Sequence, residues 1–361
     1  MPWKDVVQVS NLLLERWDAD NFPTTYLGLN FLSALQIDSA KDSSATSSGI
    51  FDAFRYFNCT DERDKVYALL SFPPLCELRP PIQPDYSKSV AEVFEEATVR
   101  IFTHCNSLGL LSSLEHGWVI DKEWPSWVPR WDRSRTTQIL HDYDSGRVHS
   151  STPRLQWRPG VLISGGVRTS MLSWCGEFIR DGTTPEMDFL KQPLQELLSK
   201  LRPKITHSAD PLLLDIAMTL TVGLDKQSKS PPPEFRLNFL AFLVSISPSL
   251  DILDATRDLL QELVEQGQAG DAANFYAAAS RGSRNKRFFC TQNGEFGVGP
   301  RAAQTGDHVV LLYGSNAPCL LRPKGSYYQI VGECYLHHHM HGEVIEMAEK
   351  ELLPIEDFEL R

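Results

Sequence analysis

Basic residues are the scarce class in this sequence: 35 lysines and arginines stand against 46 aspartates and glutamates, a formal charge of −11. A chain of that sign repels phosphate backbones unless its cations gather in a patch. The densest basic run, Arg281–Arg287, is short and leads straight into an apolar strand pattern. Nucleic-acid binding is not expected. Long apolar runs are also missing: Leu237–Ile246 is about half of the ~20 residues a membrane helix needs. No membrane segment is expected, and the opening MPWKDVVQVSN lacks the basic-then-apolar order of a secretory signal. The seven cysteines are odd in number, scattered, and never form a C-x-x-C pair. That pattern suits reduced thiols in a cytoplasmic protein better than a disulfide frame or a zinc knuckle. A glycine-rich phosphate loop and a G-x-S-x-G element are both absent, so dinucleotide binding and acyl transfer have no motif to rest on. No cofactor is expected.

What is present is the composition of an ordinary folded protein, 42% hydrophobic and 22% charged over 361 residues. Residues 1–150 read as mainly helical. Ser89 and Glu92 form a capping box, and Val90, Val93, Phe94, Ala97 and Ile101 then recur on one helical face. The segment WPSWVPRWD (Trp124–Asp132) carries two prolines that exclude regular helix and central strand. Residues 176–282 are again helical, with expected helices over 186–201, 211–224, 234–246 and 250–279. The polar, proline-rich Lys226–Pro233 reads as a surface connector between two of them. Residues 151–175 and 283–345 break into short β runs punctuated by glycine, such as RFFCT, EFGVG, DHVVLLYG and YYQIVGECYL. Residues 346–361 read as a C-terminal tail. The expected class is α+β: a mainly helical N-terminal part plus a small antiparallel β-barrel or sandwich interrupted by a helical insertion.

The stretch CTDERDKVYALLSF, residues 59–72, places Asp61, Glu62, Arg63, Asp64 and Lys65 immediately before an apolar run. The spacing predicts a helix over about 62–71, capped by Thr60 or Asp61, with its acids in the first turn where the helix dipole favours them. No glycine-rich loop precedes the block, so a phosphate cradle has no support. The block reads as structural.

These residues also carry a resemblance. CTDERDKVYALLSF, then IQPDYSKSVAEVFEEA, then WPSWVPRWD resemble, in order and spacing, the region after the HET domain of fungal heterokaryon-incompatibility proteins. The stretch Arg287–Glu343, with its R-F-F-x-T, G-D-x-V, P-x-x-L-R and V-G-E-x-Y elements, is similar to the C-terminal segment of the same family. The resemblance marks Asp61, Arg63, Asp64, Lys65, Tyr67, Asp85 and Tyr86 as a structural signature. Family members usually begin with a HET segment bearing an L-S-Y-x-W-G stretch, the part tied to cell death and distantly related to TIR domains. Neither that stretch nor a tryptophan-isoleucine-aspartate element occurs here. The chain is therefore expected to be the family's body without its effector, and not to consume nicotinamide dinucleotide.

Candidate chemistry is sparse. On an extended strand His337, His339 and His341 would share a face, and imidazoles at alternate positions can hold zinc or copper. Against that, His337, Met340, Gly342 and Glu343 match the family's Y-x-H-G-x-M-x-G-E pattern, and no metal is assigned. Asp307 beside His308 could orient a base, but neighbours on a strand face opposite ways, so a turn aspartate is expected. Trp124, Trp127, Trp131 and Trp157 could line an apolar pocket, although core packing explains them equally well. Two readings of function follow. One is a non-catalytic recognition or scaffold role in fungal incompatibility, with other HET-family proteins as partners. The other is an enzyme made from this scaffold, acting on an apolar small molecule in secondary-metabolite biosynthesis.

Overall fold

The computed structural model describes residues 47–72, 75–137, 140, 143–146, 155–179, 190–201, 205–208, 210–225, 235–250 and 252–361. These fall into two compact units. One holds the described residues through Asn106 together with Val128–Arg135; the other holds Ser107–Trp127 and Thr136–Arg361. The connector Lys226–Pro233 lies outside the described residues.

The first unit is helical: α1 (Ser47–Phe54), α2 (Asp64–Tyr67) and α3 (Val90–Cys105). Helix α3 begins at a full capping box. The Ser89 hydroxyl accepts from Glu92 N, and Ser89 N donates to the Glu92 carboxylate at 2.7 Å. Its buried face carries Val93, Phe94, Ala97, Ile101 and Phe102. Trp131 completes this core, its ring 4.1 Å from Phe51 and 5.0 Å from Phe94. Truncating such a buried indole to alanine costs on the order of 3–5 kcal/mol.

Helix α2 is shorter than the 62–71 expected. It ends at Tyr67, and the chain continues in tight turns, with Leu69 N donating to Val66 O at 3.0 Å and Phe72 N to Leu69 O at 2.9 Å. The side chains before and within it explain the difference, because Arg63, Lys65 and Tyr67 all reach out to distant backbone rather than along a helix face.

The second unit is built on a bent strand. β1 (Leu155–Arg158) turns at Gly160, where φ is +76°, into β2 (Val161–Phe178). Then come α4 (Lys191–Leu201), α5 (Pro211–Thr221), α6 (Phe235–Ile246), α7 (Arg257–Gly267) and α8 (Ala272–Ser283). The remaining strands are β3 (Lys286–Thr291), β4 (Phe296–Pro300), β5 (His308–Leu312), β6 (Cys319–Lys324), β7 (Tyr327–Glu333) and β8 (Glu356–Leu360), with α9 (Glu343–Glu349) before the last. Strands β2, β5, β6, β7 and β8 close a barrel, because β2 pairs β5 on one side and β8 on the other. Every pairing is antiparallel except β7 with β8, which meet in parallel at Tyr328 and Leu360. Register shifts near Leu172 and Cys175 bend the far half of β2 out to pair β3. The segment read as a tail is therefore part of the barrel: β8 seals it, with Phe358 and Leu360 fully buried.

The helices α4–α8 share an apolar core with Phe288, Val298 and Tyr335 of the β part. Phe235, Phe239 and Phe242 on α6 surround Phe275 of α8 at 5.3, 5.0 and 5.3 Å between ring centres. The single helix expected over 250–279 is two. A Cβ at Gly270 would meet Leu237 O at 2.0 Å, so only glycine allows this close approach of backbones. Asp271 then caps α8, accepting from Asn274 N at 2.9 Å. Among the described residues no helix is long and apolar enough to cross a membrane.

Candidate functional site

The seven signature residues converge within the first unit. The Arg63 guanidinium forks onto Asp61, Nε to Oδ1 at 2.9 Å and Nη2 to Oδ2 at 2.7 Å, and its third nitrogen donates to the carbonyls of Tyr86 and Lys88 at 2.5 and 2.8 Å. Lys65 Nζ donates to Arg55 O at 2.9 Å and to Phe57 O. The Tyr67 hydroxyl donates to Asp85 O at 3.0 Å and accepts from Asp85 N at 3.1 Å. Tyr86 closes the ring by donating to Asp64 Oδ1 at 2.7 Å. Hydrogen bonds from Arg63 hold the Asp61 carboxyl down to about 2, and the bond to Asp64 raises the Tyr86 phenol. Two sequence segments some twenty residues apart are thus tied by side chains that have few polar atoms left over.

Asp307 has the same character in the second unit. It is fully buried, accepts from Gln304 N at 2.9 Å as a turn aspartate, and receives a bidentate fork from Arg322. The G-D-x-V and P-x-x-L-R elements are thereby explained together, since they supply the two halves of one buried ion pair. His308 faces away from Asp307, with its Nδ1 3.4 Å from Arg168 Nη1. Burial, then the Arg168 charge, lowers its pKa.

The tryptophans do not form a set. Trp127 is buried in the second unit, with its indole N–H directed at Gly160 O at 3.4 Å, whereas Trp131 is buried in the first. Trp157 is 56% exposed on β1, Trp124 is half-buried, and none of the four lines the cleft described next.

That cleft, about 290 Å³, lies in the second unit between α5, the β3–β4 turn and the residues that follow β7. His337, His338 and His339 form one wall, with Asp215 and Thr219 of α5, Glu295 of the β3–β4 turn, and apolar Leu212, Phe296 and Leu336 around them. The histidine run is a 3-10 turn rather than a strand, so the alternation expected for 337, 339 and 341 does not hold. His339 meets one carboxylate, and His337 and His338 both face another. His339 Nε2 bonds Glu295 Oε1 at 2.7 Å, and that bond lowers the Glu295 pKa. His338 Nε2 lies 3.4 Å and His337 Nε2 3.9 Å from the two oxygens of Asp215. His341 is outside the cleft, its ring 5.5 Å from that of Tyr143. Gly342, at φ +88°, turns the chain into α9, and Met340 is fully buried. Among the described residues no three histidine, cysteine or acidic side chains are placed to hold a metal ion.

The tautomer of His337 follows from a relay. The Tyr143 hydroxyl donates to Val222 O, and Tyr335 hydrogen-bonds Tyr143. We infer that Tyr335 donates to Tyr143 and so accepts from His337 Nδ1, 2.9 Å away, an assignment of the Nδ1–H tautomer. The Nε2 lone pair is left facing Asp215. Burial, then the charge of His338, lowers the His337 pKa, so the neutral form prevails at pH 7. Asp215, Thr219 and Glu295 carry no motif. Asp215 and Glu295 sit 123 and 44 residues away in chain from His338 and His339, so only the fold announces them.

Residues 254–355 match the model of the Het-6 β-barrel domain. This part of the chain is similar to the Het-6 β-barrel domain. The matched span includes α7, α8, β3–β7 and α9, while β2 and β8, which complete the barrel, lie outside it. Over 80 residues, 21% of this chain, the sequence is 39% identical to heterokaryon incompatibility protein 6, OR allele, of Neurospora crassa. The match covers 12% of that relative's length. No solved structure matches the chain.

Proposed function

We propose that this Het-6 barrel protein is a recognition or scaffold component of heterokaryon-incompatibility signalling, acting in the cytoplasm through contacts with other HET-family proteins. The observation that carries this reading is how the signature residues are used. Asp61, Arg63, Asp64, Lys65, Tyr67, Asp85 and Tyr86 direct their polar atoms at one another and at backbone, and Asp307 does the same with Arg322. Side chains spent on such bonds shape and hold a surface rather than leaving groups free for chemistry, and a held surface is what recognition requires. The similarity to a protein named for heterokaryon incompatibility supports the setting. The test is co-expression in a fungal host with a full-length HET-family protein. Copurification, with a changed strength of the incompatibility reaction, supports the reading; an unchanged reaction and no complex oppose it.

A second reading is favoured by the cleft alone. The His339–Glu295 couple at 2.7 Å, set beside Leu212, Phe296 and Leu336, is the type of pair that moves a proton on an apolar substrate. An enzyme of secondary-metabolite biosynthesis would use it so. Turnover of candidate terpenoid or polyketide substrates, lost in Glu295→Gln, would put this reading first.

A further inference from the structure

Helix α5 contains two threonines that behave differently. Thr221 bonds back to Ala217 O at 3.0 Å, as Thr98 and Thr103 do to the carbonyls four residues before them in α3, at 2.7 and 2.8 Å. This is the ordinary fate of a helical threonine. Thr219 is fully buried, lines the cleft, and its hydroxyl has no hydrogen-bond partner among the described residues. One turn earlier on the same face stands Asp215, with its carboxylate at the cleft wall. Facing both is the His337 turn, whose Nε2 lone pair is fixed outward by the Tyr335–Tyr143 relay. A lone pair, a carboxylate and an uncommitted hydroxyl are all acceptors. The Thr219 O–H can also donate and His338 Nε2 lies 3.4 Å from Asp215 Oδ2, but acceptor sites outnumber these donors, and a donor-rich cation would fill the remainder.

An alkylammonium group supplies three N–H donors and no acceptor. We propose that the juxtaposition of Asp215, Thr219 and His337 binds the ammonium head of a primary amine, with Leu212, Phe296 and Leu336 against its apolar stem. Three acceptors from two elements suit a compact, rotatable ammonium better than a planar guanidinium, whose donors lie in one plane. Asp215 side-chain exposure is 26% and that of His337 25%, so both are reachable yet partly desolvated, which strengthens a charged hydrogen bond. The amine has two possible sources, a free metabolite or a lysine side chain on a partner segment. This site stands independently of the recognition reading, since either source would fill it.

The groups facing His337 are His338 and His341 on its own turn, Asp215 on α5, Glu343 on α9 and Tyr335 beneath it. Protonating His337 would replace an acceptor by a positive charge, so binding should weaken as the medium is acidified.

The experiment is calorimetric titration of the whole protein with hexylamine, hexanol and a lysine-centred pentapeptide, each at pH 8 and pH 5.5. Saturable hexylamine binding is expected at pH 8, falling at least tenfold at pH 5.5, with no binding of hexanol. Asp215→Asn should weaken hexylamine at least tenfold while far-UV circular dichroism and melting stay unchanged; Thr219→Val should weaken it by several-fold. A pentapeptide that binds more tightly than hexylamine identifies a protein source, and one that binds more weakly identifies a free amine. Hexanol binding as well as hexylamine, an Asp215→Asn variant that binds normally, or stoichiometric zinc displacing the amine would overturn the proposal.

Discussion

Arg322 grips Asp307 through two parallel hydrogen bonds, Nε to Oδ1 at 2.8 Å and Nη2 to Oδ2 at 2.9 Å, with the carboxylate wholly withdrawn from water. The same guanidinium donates to Ala302 O at 2.7 Å, tying the loop before β5 to β6. Breaking one half of such a pair leaves an uncompensated buried charge, which costs about 3–5 kcal/mol. Asp307→Leu and Arg322→Met should each lower the urea midpoint strongly. The Asp307→Leu/Arg322→Met double variant should recover part of the loss. A double variant as unstable as the sum of the two singles would show that no pairing energy is involved.

The signature knot should respond to acid. The Asp61 carboxyl titrates at about 2 in the folded protein against an ordinary 3.8, because Arg63 bonds its charged form. A depressed folded value means that the contribution is complete above the ordinary value and is lost as pH falls toward the folded one. The melting difference between wild type and Arg63→Ala should be full from pH 5 to 7 and shrink between about pH 4 and 2. A difference that grows on acidification would contradict the assignment.

The tyrosine relay can be read directly by nitrogen NMR. Wild-type His337 should show the Nδ1–H tautomer at pH 8 and titrate below the ordinary 6.5, since burial comes first among the causes of its shift. Tyr335→Phe removes the acceptor on Nδ1 and should mix the tautomers. Gly223, at φ +71°, packs under both phenols: a Cβ there would lie 2.4 Å from the Tyr143 hydroxyl and 2.7 Å from that of Tyr335. Gly223→Ala should therefore disturb the same signal. An unaltered tautomer in both variants would remove the relay from the account.

Thiol chemistry should sort by burial. Cys76 and Cys105 are exposed, while burial pushes Cys290 up to about 11, Cys175 up to about 12, and Cys319 and Cys334 higher still. Since the thiolate is the reactive form, Cys76 and Cys105 should react rapidly with a disulfide reagent at pH 8. Cys319 and Cys334 should react only on unfolding. Rapid modification of Cys319 in folded protein would show that β6 opens.

Local signals were the legible part. The Ser89–Glu92 capping box and the apolar spacing after it marked α3, and glycine-punctuated runs marked β3 to β7, because caps and turns act over a few residues. The split between α7 and α8 was written in Gly270-Asp271 but hidden by apolar residues on both sides. β8 reads as a tail because the short, acidic stretch EDFEL has little strand signal until β2 lies beside it. The cleft was the least legible of all. The histidines were conspicuous, but their partners Asp215 and Glu295 are ordinary surface acids in sequence, and a 3-10 turn replaced the strand on which the metal idea depended. The tryptophans misled for the opposite reason: although close in sequence, Trp127 and Trp131 fall in different units.

The signature block holds the fold, and the proposed recognition would be exerted elsewhere. The most direct measurement takes melting temperature and binding of a full-length HET-family partner on the same preparation of Arg63→Ala. A lowered melting temperature with unchanged affinity per folded molecule is predicted; unchanged melting with abolished binding would contradict the account.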